Sequence, residues 1–115
     1  MDHKTVEEYV LSMPLAKLDY PFGEGVAVYK NGDKMFALIS EGKSPVQLSL
    51  KCDPQLALLL RDKYEEVMPG DHLNKKHWNT IILAGQLPWD EVQSLIRHSY
   101  DLVADTVHAE TPKIS

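Results

Sequence analysis

Lys75, Lys76, His77, Trp78 and Asn79 follow one another in the stretch HLNKKHWNTIIL, residues 72–83, and raise the first chemical question. Adjacent lysines supply compact charges suited to phosphate, the imidazole adds donors, and an indole ring offers a face for stacking. Lys43 and Lys51, at either end of a strand-like segment, join them if the strands are neighbours. That set suits something anionic and flat, such as a nucleic acid. The competing account is equally concrete: lysines in a connecting loop stay solvated, and Trp78 anchors the following strand in the core. Strand alternation groups Trp78 with Thr80 and Ile82, against His77, Asn79 and Ile81, and neither set is cleanly polar. We expect a partly buried Trp78 ring that packs on its neighbours, with His77 and Asn79 turned to the more polar side.

Other chemistry has less to build on. The chain has no glycine-rich phosphate loop, no H-E-x-x-H and no G-x-S-x-G. Asp71, His72 and His77 could meet around a metal through a turn, but they lack a recognised ligand spacing, so no metal and no cofactor is expected. His3, His98 and His108 read as solvated helix residues. The only cysteine, Cys52, excludes an internal disulfide and reads as a small buried thiol. Carboxylates of the last helix fall on its polar face. Nothing here makes a positive case for an enzyme.

The elements that must hold these residues are legible in outline. Thr5 and Glu8 have capping-box spacing, with Asp2 as a rival cap one turn earlier, and Val6, Tyr9, Val10 and Met13 share a helical face before Pro14. The segment VAVYKNGDKMFALIS reads as a hairpin turning at Asn31-Gly32. In PVQLSLK, Val46, Leu48 and Leu50 alternate with Gln47, Ser49 and Lys51, giving one buried and one wetter face. Asp53 and Pro54 open a second helix as N-cap and first-turn proline. A strand follows at HWNTIIL, with a short one possible before it near residues 66–74. The last helix runs from near Pro88 to about His108, and Ser99 lies within its apolar stripe, where it suits a close helix–sheet contact.

The order is helix, three strands, helix, one or two strands, helix. It predicts a two-layer α+β domain over residues 1–108, an antiparallel sheet with helices on one face, and a mobile tail at 109–115. The uncovered face must then meet water, a ligand or a partner chain.

Composition sets limits. A chain of 115 residues buries one core, and no apolar run approaches the ~20 residues of a membrane span. The acidic, amphipathic start lacks the features of a secretion signal, which predicts a cytoplasmic protein. The net charge of −5 argues against indiscriminate coating of nucleic acid. Residues 43–80, with six basic and five acidic side chains, are the only third that does not repel an anion.

Several fragments, in order, carry a resemblance: YPFG after the first helix, KMFALIS, LKCDP, PGDHLNKKHWNTIIL and SYDLV. Over residues 1–108 the chain resembles the YjbR/MmcQ family of small bacterial proteins. The resemblance implies a domain with the fold of type III secretion chaperones. It also carries a DNA-binding label, based on a proposed pair of wing-like elements flanking the sheet. It highlights Pro21, Phe22, Gly23, Lys51, Asp53, Pro54, Lys75, His77, Trp78, Asn79, Ser99 and Tyr100, and transfers no catalytic role to any of them.

Turns, caps and close packing account for Gly23, Asp53, Pro54 and Ser99. The candidate site is therefore Lys43, Lys51, Lys75, Lys76, His77, Trp78, Asn79 and Tyr100, the last with its hydroxyl at the edge of the final apolar stripe. Two functions are expected to compete. One is a non-enzymatic module binding DNA. The other is a protein- or peptide-binding module using the open sheet face, as a monomer or weak homodimer. A small-molecule sequestering role is a third. A contiguous positive surface joining the four lysines would favour DNA, and a large apolar patch on the open face would favour a protein partner.

Overall fold

The computed structural model describes residues 2–70 and 73–108, with side chains of the last helix described through residue 104. Helix α1 (His3–Leu11) is capped by Asp2, whose side chain accepts from the Thr5 N–H at 2.9 Å. That backbone hydrogen bond holds the Asp2 carboxyl below the usual carboxylate range. Asp2, not Thr5, is thus the cap, and Val6 and Val10 are the buried positions. A strand that the sequence reading did not anticipate follows, β1 (Ala16–Asp19).

The hairpin β2 (Val26–Asn31) and β3 (Lys34–Ser40) turns one residue later than expected. Gly32 takes the positive φ, +62°, at the first position of a two-residue loop, while Asn31 closes the strand and donates its amide to the Tyr100 hydroxyl at 3.3 Å. Strand β4 (Gln47–Lys51) alternates as its sequence predicts. Helix α2 (Pro54–Lys63) then opens on Asp53, which accepts from the N–H groups of Gln55 and Leu56. Two more strands, β5 (Val67–Pro69) and β6 (Trp78–Ile82), precede helix α3 (Trp89–His108).

The six strands lie in the order β1-β2-β3-β4-β6-β5, with every neighbouring pair antiparallel. Strand β6 sits between β4 and β5, so β4 and β5 run parallel and α2 makes the crossover between them. The outermost strands are also the shortest, four residues in β1 and three in β5.

The helices cover one face. Val6 and Val10 of α1, Ala57 and Leu60 of α2, and Val92, Ile96 and Val103 of α3 pack with Ala27, Tyr29, Ile39, Leu48 and Ile81 of the sheet. Ser99 is fully buried in this layer and donates to the Phe36 carbonyl, the close contact its place in the stripe predicts. The opposite face carries no helix among the described residues and has its own smaller cluster of Val28, Leu38 and Trp78, flanked by Val26, Met35 and Leu73. The architecture is the expected α+β sheet with helices on one face, widened by β1. No helix among the described residues is long and apolar enough to cross a membrane. The expected tail lies outside the described residues.

Candidate functional site

The open face is concave. Its central rung is the cross-strand pair Ser49 and Thr80, whose hydroxyl oxygens lie 2.8 Å apart. Around that pair, Val26, Leu38, Ser40 and Gln47 complete the floor of a cavity of about 270 Å³. Two loops form its walls. Phe22 projects from the β1–β2 loop, and Leu73 from the β5–β6 loop. Phe22 is 59% exposed, so its ring is not used to stabilise the core. The lining is apolar on the walls and carries a few polar groups on the floor, the usual make-up of a ligand pocket.

The polar floor has a definite hydrogen-bonding character. Each hydroxyl carries one donor and can accept, and their mutual bond uses one of the two hydrogens. The pair therefore retains one O–H to offer an acceptor. Beside the groove, Tyr20 donates to Glu41 at 2.8 Å, which raises the phenol's pKa.

Two residues beyond Ser49 and Thr80, on the same face, Lys51 pairs with Trp78. Trp78 is 6% exposed and packs with Val28 and Leu38 in the small cluster of the open face. The expected packed ring is present, more deeply buried than anticipated, and it has no free face for base stacking.

Asn79 departs from expectation. It is 2% exposed and points to the helix-covered side, because alternation sends it opposite Trp78 and α2 lies over it. Both ends of its amide are engaged: Asn79 Oδ1 accepts from Arg61 Nε at 2.6 Å, and Nδ2 donates to the Ala57 carbonyl at 3.2 Å. Arg61, which the sequence reading passed over, also donates to the Trp78 carbonyl at 3.2 Å and to the Lys75 carbonyl. A guanidinium from α2 thus fixes the start of β6 and the loop before it. Within that loop, Asn74 Oδ1 accepts from the Lys76 N–H at 2.9 Å, and the His77 carbonyl accepts from the Cys52 N–H at 2.8 Å.

The lysines divide. Lys75 and Lys76 are exposed in the β5–β6 loop, and Lys51 is half-buried at the adjoining end of β4. Lys43 is exposed in the turn before β4, at the other end of that strand. Four residue steps of β4 alone separate the two ends by about 13 Å. Three of the four lysines therefore share one end of the groove, and Lys43 does not.

Tyr100 is elsewhere. Its ring meets Phe36 edge-on at 5.4 Å between centroids, and its hydroxyl donates to the Pro14 carbonyl at 2.5 Å, on the helix side of the sheet. His98 is also not simply solvated: its Nε2 accepts the Asp53 N–H at 3.1 Å, tying α3 to the start of α2. Cys52 is buried, and burial, ahead of the nearby Asp53 charge, pushes its thiol up to about 11. Of the possible metal group, Asp71 and His72 lie outside the described residues. Among the described residues no cluster of three or more His, Cys, Asp or Glu side chains could hold a metal.

Comparison with known proteins places this geometry. The YjbR family pattern matches residues 11–102. The chain belongs to the YjbR family. It is 37% identical over 103 residues to the uncharacterized protein YbdF of Escherichia coli O157:H7, covering 90% of this chain and 84% of that protein. It is 33% identical over 107 residues to the uncharacterized protein YjbR of Escherichia coli K12, covering 93% and 91% respectively. Among solved structures, the Deinococcus radiodurans protein DR2400 superposes with a TM-score of 0.85 at 34% identity, covering 90% of this chain and 79% of that one. A Pseudomonas syringae protein superposes with a TM-score of 0.76 at 31% identity, over 90% of this chain and 99% of its own. Within this YjbR chain, the resemblance motifs YPFG and HLNKKHWN contribute Phe22 and Leu73 to the groove walls.

Proposed function

We infer that this YjbR-family chain is a non-catalytic binding module whose ligand seats in the open-face groove. The observation that carries the reading is the cavity of about 270 Å³ walled by Phe22 and Leu73, with Phe22 held out of the core. A volume just under the ~300–1,000 Å³ of typical small-molecule pockets suits a compact organic body. The groove lining offers hydroxyl and amide groups, which suit hydrogen bonding to a bound ligand.

The DNA-binding reading has one observation in its favour, the gathering of Lys51, Lys75 and Lys76 at one end of the face. It has neither a free Trp78 face for stacking nor the polar contact expected of Asn79, since both are buried.

An amide NMR titration separates the two. Compact aromatic fragments should shift the signals of Val26, Leu38, Ser49, Leu73 and Thr80, and Phe22→Ala should weaken them. If duplex DNA instead shifts the Lys75 and Lys76 signals, and survives Phe22→Ala, the nucleic-acid reading replaces ours. Its log K should then fall with log salt by about 0.9 per phosphate contact.

A further inference from the structure

We propose that the groove selects a small organic anion, with an apolar body between Phe22 and Leu73 and its charged end at Lys51. This rests on the groove being the binding site, and adds the chemical class of the ligand.

The argument follows the rungs of the sheet. Thr80 is 4% exposed and Ser49 half-buried, and their pair keeps one O–H for an acceptor. Two residues along the same face, about 7 Å on, stands Lys51, within reach of its four-carbon stem. Lys75 and Lys76 follow Leu73 in the wall loop, so a positive field extends past the same end. By contrast, Lys30, which alternation also places on this face, is already paired with Asp19 at 3.1 Å.

The opposite end has a different character. There Ser40 and Gln47 border Glu41, the acceptor of the Tyr20 hydroxyl, with Lys43 exposed in the same turn. At that end Glu41 and Lys43 bring opposite charges, whereas Lys51, Lys75 and Lys76 at the other end are all positive. Charge and hydrogen-bonding complementarity thus set both the class of ligand and its direction: acceptor over the hydroxyl pair, anionic group at Lys51, apolar body toward Phe22. A carboxylate, sulfonate or phosphate ester on one or two rings meets that description.

Two fluorescent probes of nearly the same body test it, anilinonaphthalene sulfonate, which is anionic, and phenylnaphthylamine, which is not. Both are titrated into the intact protein, with amide NMR to locate them. The expected result is that both shift Ser49, Leu73 and Thr80, and that the sulfonate binds about fivefold more tightly at low salt, as a partly solvated charge contact allows. Lys51→Gln should abolish that preference without weakening the neutral probe, and Lys51→Arg should keep it. If both probes occupy the groove with equal affinity, or Lys51→Gln leaves the preference intact, the anion proposal is overturned while the groove reading stands. If neither probe shifts groove residues, or both go to the exposed Leu58 and Leu59 on α2, the groove reading itself fails.

Discussion

Gly70 lies flush against Trp78: a Cβ added to Gly70 would sit 2.7 Å from the Trp78 Cβ and 3.2 Å from its carbonyl oxygen. The Gly70 N–H donates to that same oxygen at 2.9 Å. Close approach, rather than an unusual φ, is what requires glycine at this position. Gly70→Ala should therefore act as overpacking and cost about 1–3 kcal/mol. A urea midpoint unchanged from the parent chain would refute this.

Trp78 itself supplies the second prediction. With 6% of its surface exposed, Trp78→Ala removes a buried ring and should cost about 3–5 kcal/mol. Groove binding should be lost with the fold rather than separately from it. Chemical denaturation checks the first statement, and binding measured on the folded fraction checks the second.

Arg61 makes a prediction about dynamics. Arg61→Ala leaves the buried Asn79 oxygen without its Arg61 donor, removes the guanidinium from the Lys75 carbonyl, and leaves the Trp78 carbonyl with the Gly70 N–H alone. The loss should be about 2 kcal/mol. Hydrogen exchange should accelerate for amides of residues 73–79 more than for those of the β2–β3 hairpin. Uniform acceleration across both would indicate global destabilisation only.

Cys52 gives a dependence on pH. Its thiol is held up near 11 by burial, above its ordinary value, so the folded chain keeps a proton that the unfolded chain releases. The associated stability is fully present below the ordinary thiol pKa of about 8.5 and is lost as pH rises toward 11. At pH 8 only about one thiol in a thousand is a thiolate, so alkylation of the native protein should be very slow. It should become rapid in denaturant. Fast stoichiometric labelling of the native chain at pH 8 would contradict the burial argument.

Much of this fold is written in local patterns. Val46, Leu48 and Leu50 announce their strand and its buried face, and Asp53 with Pro54 announces the start of α2. Strand β1 escapes notice because Ala16–Asp19 is a largely exposed edge strand, which leaves no alternation to detect. Strand β6 hides its faces for the opposite reason: its first four residues are all buried, Trp78 and Thr80 on one side, Asn79 and Ile81 on the other. The partner that makes burial of Asn79 tolerable is Arg61, 18 residues away on another element. The same holds for the groove. Phe22, Leu38, Ser49, Leu73 and Thr80 come from three strands and two loops, and no spacing in the chain links them. The lysines were visible as charges, but only the direction of β4 separates Lys43 from the rest.

The brevity of the outer strands bears on how the protein behaves when concentrated. An incoming chain could pair with only four residues at β1 or three at β5, where Pro69 also lacks an N–H to donate. Edge-to-edge growth into fibrils thus finds little template at either rim. Crowding is left to press the broad faces together, and the uncovered one holds the groove. Any face-to-face pairing there competes with ligand for the same surface, so ligand occupancy should report the monomer concentration.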